Sequence, residues 1–199
     1  MEGIPPGQIV TKITWPVLSA TDTPDIDLKS YRLKIFGKVD KEISFGWDDL
    51  MKMPRIRKKL DMHCVTRWSR LGDEWEGIQL NYLLKMAEPK GKYLMLWSSY
   101  VDYSANVPME CLNDDCMLAL KVNGKPLEPK HGGPIRAFIP TLYLWKSTKW
   151  IDGIEVMEEN KPGFWEQRGY NLRGDYWKEE RYWDGINFVD KLLHRQKKI

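Results

Sequence analysis

Cysteine is scarce in this sequence, and so is net charge. The 199 residues include three cysteines, an odd and sparse set that makes a poor disulfide framework and suits a reducing compartment. There is no CxxC and no CxxCH, which argues against a zinc knuckle, an iron–sulfur cluster and covalently attached haem. The formal net charge of +3 is too small to point to a nucleic acid partner. No apolar run approaches the roughly 20 residues that cross a bilayer, so no membrane partner is expected. The opening MEGIPPGQIV lacks the basic and apolar regions of a secretory signal, and the expected location is cytoplasmic. Neither repeats nor low-complexity stretches are present.

Tryptophan, by contrast, is abundant, with ten copies. Indoles are large and flat, and their N–H groups want partners. Ten of them suggest either a heavily aromatic core or walls around a planar ligand.

Along the chain, residues 1–30 are rich in Pro, Thr and Asp and read as extended, irregular backbone. "YRLKIFGKV" alternates, with Tyr31, Leu33 and Ile35 on one face, and predicts a strand. "WDDLMKMP" predicts an Asp-capped short helix stopped at Pro54. In "RIRKKLDMHC", Ile56, Leu60, Met62 and Cys64 share a parity, so a strand is expected to run up to the cysteine. "LNYLLKMAEPKG" has helical spacing through Leu80, Leu83, Leu84 and Ala87. "KYLMLWSS", "DYSANVP", "CMLALKVNGKPL" with its Asn-Gly turn, "IRAFIP" and "WIDGIEVM" are further strand candidates. The tail "INFVDKLLHRQKKI" is amphipathic, which predicts a C-terminal helix over 184–199. The economical reading is a single strand-rich α+β domain spanning 1–199.

Three stretches carry chemistry. The first is "HCVTRWS", residues 63–69. A nucleophilic Cys64 would need a base within reach. His63 is adjacent, and adjacent strand residues face opposite ways. A lone thiolate fills only one coordination site of a metal. Judged by residue type alone, Cys64 is most simply a buried, inert thiol. The second is "KHGGPIR", residues 130–136, followed by "WKSTKW", residues 145–150. The paired glycines let backbone N–H groups approach a ligand. His131, Arg136, Lys146, Ser147 and Lys149 can surround a phosphate. The plain alternative is a turn beside a solvated basic edge. The third is "GFWEQRGYNLRGDYW", residues 163–177, a loop dense in aromatics, either functional or a lid on the core.

Taken in order, these stretches resemble the sulfite oxidase family, the domain that binds molybdenum through a pyranopterin cofactor, over about Pro24 to Trp183. In that family a cysteine at a strand end gives molybdenum its single protein thiolate. "CVTRWS" is similar to the form found in bacterial molybdenum methionine sulfoxide reductases, a short single-domain branch. The resemblance makes Cys64 a metal ligand and places Val65 and Ser98 near the cofactor. Family members then carry His or Asn, Arg five residues on and Lys a further thirteen on, holding the pterin and its phosphate. His131, Arg136 and Lys149 stand at those intervals, with Lys146 and Ser147 in the same turn. "WEQRGY" is similar to the family's "WQRRDY", whose tyrosine stands beside the metal, so Tyr170 is the candidate for that place. The family's sulfite-binding arginine, five residues after the cysteine, is Ser69 here, with Arg67 and Arg70 on either side. That departure puts sulfite in question. Arg67, Arg70 and Arg173 are the candidates to orient an anionic substrate.

The resemblance implies mixed sheets with short helices, molybdopterin with molybdenum as cofactor, and two-electron oxygen-atom transfer on a sulfur oxyanion or S-oxide. It also implies a small-molecule substrate and a separate electron carrier. Two other classes stay open. One is a molybdenum-cofactor carrier without turnover. The other is a nucleic-acid module using tryptophans and the basic runs "RIRKK" and "HRQKK", whose binding would be steeply salt-dependent.

Overall fold

A computed structural model describes residues 3–11, 15–18 and 21–183. In chain order its elements are β1 (Ile9–Val10), β2 (Arg32–Gly37), β3 (Ile43–Gly46), α1 (Trp47–Lys52), β4 (Ile56–His63), β5 (Trp68–Gln79) and α2 (Leu80–Ala87). Then come β6 (Tyr93–Ser98), β7 (Tyr103–Pro108), β8 (Met117–Val122), β9 (Lys125–Pro126), β10 (Arg136–Phe138) and β11 (Gly153–Met157). One sheet has the order β1-β5-β8-β10, with β4 also on β5 and β9 also on β8. The other has the order β3-β2-β11-β6-β7. The pairs β1–β5 and β2–β11 are parallel and the rest antiparallel, so both sheets are mixed, as expected.

Local sequence explains most elements. In β2 the alternation buries Leu33 and Ile35 and exposes Arg32 and Lys34. Strand β6 is flanked by β11 and β7, and Leu94, Met95 and Leu96 are buried in succession, as suits a central strand. Helix α2 buries Leu80, Leu83, Leu84 and Ala87 along one stripe and ends at Glu88 in the left-handed region. Asn123 and Gly124 take φ of 50° and 75° to turn β8 into β9. Helix α1 differs from expectation. It begins at Trp47, and Asp49 caps it from inside by accepting the Gly46 N–H at 2.9 Å.

The largest departure is β5, a 12-residue strand absent from the sequence reading. Gly72 and Asp73 look like a turn, and Gly72 does take φ of 68°. The strand continues because β4 pairs along nearly its whole length, from Ile56↔Gly77 to His63↔Ser69. The predicted C-terminal helix lies outside the described residues. Among the described residues, no helix is long and apolar enough to cross a membrane.

Two clusters fill the interior. The larger is mainly aliphatic and includes Leu33, Ile35, Leu50, Leu83, Leu94, Leu118, Ile135 and Ile154. Cys111 and Cys116 belong to it, and burial pushes the Cys116 thiol up to about 11. The smaller cluster is aromatic and contains Cys64.

Candidate functional site

Strand β4 stops at His63, and Cys64 opens a tight turn in which the Arg67 N–H donates to the Cys64 carbonyl at 3.0 Å. Arg67 itself takes φ of 72°. Leaving the strand lets Cys64 and His63 part. The His63 ring is buried, with Nδ1 2.8 Å from Ser69 Oγ, and it packs on Tyr176. Burial holds its pKa down at about 4. His63 therefore forms no couple with the thiol. Cys64 is 6% exposed, with Sγ 3.2 Å from Thr66 Oγ1. Burial raises its pKa, and the Thr66 hydrogen bonds and the Arg181 charge pull the other way. Two distant segments clamp this turn. Gln8 Nε2 donates to the Cys64 carbonyl at 3.0 Å, and Arg181 donates to the Val65 carbonyl at 2.6 Å.

Cys64 lines a cavity of about 270 Å³. Val65, Thr66, His131, Arg136, Ser147, Lys149 and Tyr170 line it too, with Trp15, Trp68, Trp145, Trp150 and Trp165 among the walls. His131 stacks on Trp15 at 3.8 Å, and burial lowers its pKa to about 4. Tyr170 stacks on Trp165 at 5.0 Å and meets the Trp145 edge at 5.2 Å. Burial pushes its phenol up to about 12, so it keeps its proton at neutral pH.

Arg136 is 2% exposed and no carboxylate pairs with it among the described residues. Its guanidinium is fixed by the carbonyls of His131 at 2.8 Å and Ser147 at 2.7 Å, and burial lowers its pKa to about 10. Lys149 donates to the carbonyls of Leu18 and Lys130. Burial and neighbouring Arg136 bring its pKa down to about 7. Ser147 Oγ accepts the Ile139 N–H at 2.9 Å and keeps its own proton to donate. Two cations held at such a cost suit an anion.

Five of the expected site residues do not line this cavity. Lys146 does not line the cavity. Its ammonium is fully buried against Glu166 at 2.5 Å. Ser98 does not line it either, and its buried hydroxyl has no partner among the described residues. None of the three candidate arginines reaches the cavity: Arg67 lies 4.0 Å from Glu179, Arg70 2.7 Å from Asp73, and Arg173 2.6 Å from Glu110. The glycine pair of "KHGGPIR" also acts differently. The Gly132 and Gly133 N–H groups donate to the carbonyls of Pro129 and Glu128. A side chain at Gly133 would lie 2.0 Å from the Leu127 carbonyl, so close chain packing requires the glycine.

The sequence reading also missed Arg181, which is 5% exposed and lies 4.8 Å over Tyr143, and the wall residues Trp15, Trp145 and Trp165. Only the surplus of indoles hinted at the walls.

The donor set can be tested against a metal. Among the described residues no group of three or more His, Cys, Asp or Glu could hold one, so a metal beside Cys64 must bring most of its own ligands. A dithiolene-bearing cofactor with an anionic end does so. Cavity-lining Trp68 has a buried indole N–H without a partner among the described residues, a donor suited to a polar heterocycle. The residues fit such a group.

A family model described as "Oxidoreductase molybdopterin binding domain" matches residues 20–165. The chain is 40% identical over 186 residues to an uncharacterized oxidoreductase, YuiH, of Bacillus subtilis, covering 91% of this chain and 93% of that one. It is 27% identical over 171 residues to the protein-methionine-sulfoxide reductase catalytic subunit MsrP of Campylobacter jejuni, covering 76% of this chain and 57% of the relative. Among solved structures, the sulfane dehydrogenase SoxCD of Paracoccus pantotrophus superposes with a TM-score of 0.61 at 26% identity, covering 69% of this chain and 40% of that one. The chain thus spans little more than half of the Campylobacter protein and less than half of the SoxCD chain.

Proposed function

Since the chain belongs to the oxidoreductase molybdopterin-binding domain family and is a molybdenum-cofactor oxidoreductase of the sulfite oxidase type, we propose that it reduces a neutral S-oxide rather than oxidising an anion such as sulfite. One observation carries this reading. Arg67, Arg70 and Arg173 are paired with Glu179, Asp73 and Glu110, and the charged groups lining the cavity all come from 131–149. Outside 131–149 the residues lining the cavity, among them Val65, Thr66, Trp165 and Tyr170, are all uncharged. A desolvated anion without a paired cation is costly there, whereas a thioether or sulfoxide is at home among aromatic rings.

In this reading Cys64 supplies the protein thiolate to molybdenum. Arg136, Lys149 and Ser147 hold the cofactor's phosphate, and His131, braced by Trp15, borders the same end. Bound molybdopterin supplies a metal centre that exchanges two electrons and one oxygen atom. In the net change a sulfoxide takes up two electrons and two protons, its sulfur–oxygen bond breaks, and a thioether and a water leave. Tyr170, neutral at pH 7, donates a hydrogen bond to the sulfoxide oxygen. Trp145 and Trp165 flank the sulfur substituents and exclude water. A separate carrier delivers the electrons.

The test compares the purified, molybdenum-loaded protein on a dialkyl sulfoxide and on sulfite. The proposal expects turnover of the sulfoxide with a reduced dye as electron donor and little oxidation of sulfite. The reverse preference would refute it.

A further inference from the structure

Lys146 and Glu166 are both fully buried, and their charges meet at 2.5 Å. Burying an ion pair is expensive, and apolar residues of similar volume often replace one without loss of stability. The connections of this pair say what it does. Lys146 Nζ spends its three donors on Glu166 Oε1 at 2.5 Å, Asn106 Oδ1 at 2.7 Å and the Leu172 carbonyl at 2.8 Å. One ammonium thus ties strand β7 to two points of the 163–174 loop. Glu166 Oε1 also accepts the indole N–H of Trp145 at 2.8 Å, which fixes that ring's plane. Within the loop the Tyr170 N–H donates to the Trp165 carbonyl at 3.1 Å, so Trp165 and Tyr170 bracket Glu166. Gly163 lets this turn close: a side chain there would meet the Ser104 carbonyl at 2.6 Å and Glu166 Oε2 at 2.9 Å.

We propose that Lys146 and Glu166 are positioning residues: a buried pin that sets Trp145, Trp165 and Tyr170 as the wall of the cavity and so fixes where substrate sits. The pin touches neither cofactor nor substrate. The inference rests on the S-oxide reading for its kinetic readout only.

The experiment uses the full-length, cofactor-loaded protein and two variants. Lys146→Met/Glu166→Leu removes both charges together, and Glu166→Gln keeps the acceptor for Lys146 and Trp145 while removing the charge. Two quantities are read: the indole N–H resonance of Trp165, which does not touch the Glu166 carboxylate, and kcat and KM for a sulfoxide. The double variant is expected to fold, to shift the Trp165 resonance and to raise KM about tenfold or more, since a small misplacement of the wall is felt at the reacting atoms. A pair that only stabilised the fold would lower the active fraction and leave KM and the resonance alone. Glu166→Gln is expected to keep both near wild type. A double variant with wild-type resonance and KM overturns the proposal, and so does a Glu166→Gln protein that loses about tenfold in kcat/KM with Trp165 unmoved. Should the double variant not fold, Glu166→Gln decides alone, retention of both quantities supporting the pin and loss of either overturning it. If wild type turns over no sulfoxide, the S-oxide reading fails and the resonance still decides this inference.

Discussion

Between the sheets the interior is aliphatic, while around Cys64 it is aromatic. Leu33, Ile35, Leu83, Leu94 and Ile154 satisfy one another by contact, and the buried Tyr31 hydroxyl finds the Ile151 carbonyl. In the aromatic region cavity-lining Trp68 keeps a buried N–H without a partner among the described residues, and cavity-lining Arg136 carries a buried charge with no carboxylate paired to it among them. The first interior needs nothing beyond itself. The second is assembled at a cost that makes sense when a polar, anionic guest completes it. Stability and function thus occupy different parts of the same small protein, and substitutions in each should have separable effects.

The largest expected effect is Cys64→Ser. Turnover should fall below detection, while urea titration should show a stability change of no more than about 1 kcal/mol, because a small side chain replaces another of its size. Leu33→Ala should do the opposite. Unfolding free energy should drop by about 2–5 kcal/mol, with kcat/KM unchanged wherever the protein stays folded. A Leu33 variant with altered KM would erase the distinction between the two interiors. Arg136→Met should weaken cofactor retention roughly ten- to hundredfold, the equivalent of about 1.5–3 kcal/mol for hydrogen bonds to a charged group. Equilibrium dialysis with molybdenum analysis measures this.

The smallest effect concerns pH. The Lys149 pKa is lowered from 10.5 to about 7, so between those values the folded cofactor-free chain holds fewer protons than the unfolded chain. Stability contributed by this group therefore rises with pH from about 7 to 10.5. Thermal melts of the cofactor-free protein at pH 7 and 9 should show that rise, and Lys149→Met should flatten it. Phosphate binding runs the other way and should weaken as pH climbs through about 7, where the ammonium is lost.

The same contrast explains what the sequence reveals. Aliphatic strands announce themselves by alternation, as in β2, or by an unbroken apolar run, as in β8, and α2 by its three- and four-residue spacing. Strand β5 hides because Asp73 points inward at 6% exposure, paired with Arg70, and Gly72 breaks the pattern. In the aromatic region it is the family resemblance that picks out Cys64, Val65, His131, Arg136, Ser147, Lys149 and Tyr170, and all of them line one cavity. Lys146 and the three arginines do not line it, since a cation's direction depends on which carboxylate waits nearby: Glu166, Glu179, Asp73 or Glu110. Arg181 and Trp15 reach the site from the two ends of the chain, a contact between distant segments that no local pattern encodes.

Metal ligation by Cys64 is the claim on which the reading of the cavity rests. X-ray absorption at the molybdenum edge, on wild type and Cys64→Ser loaded with cofactor, tests it most directly. The account predicts one fewer sulfur around molybdenum in the variant. An unchanged sulfur shell would contradict it.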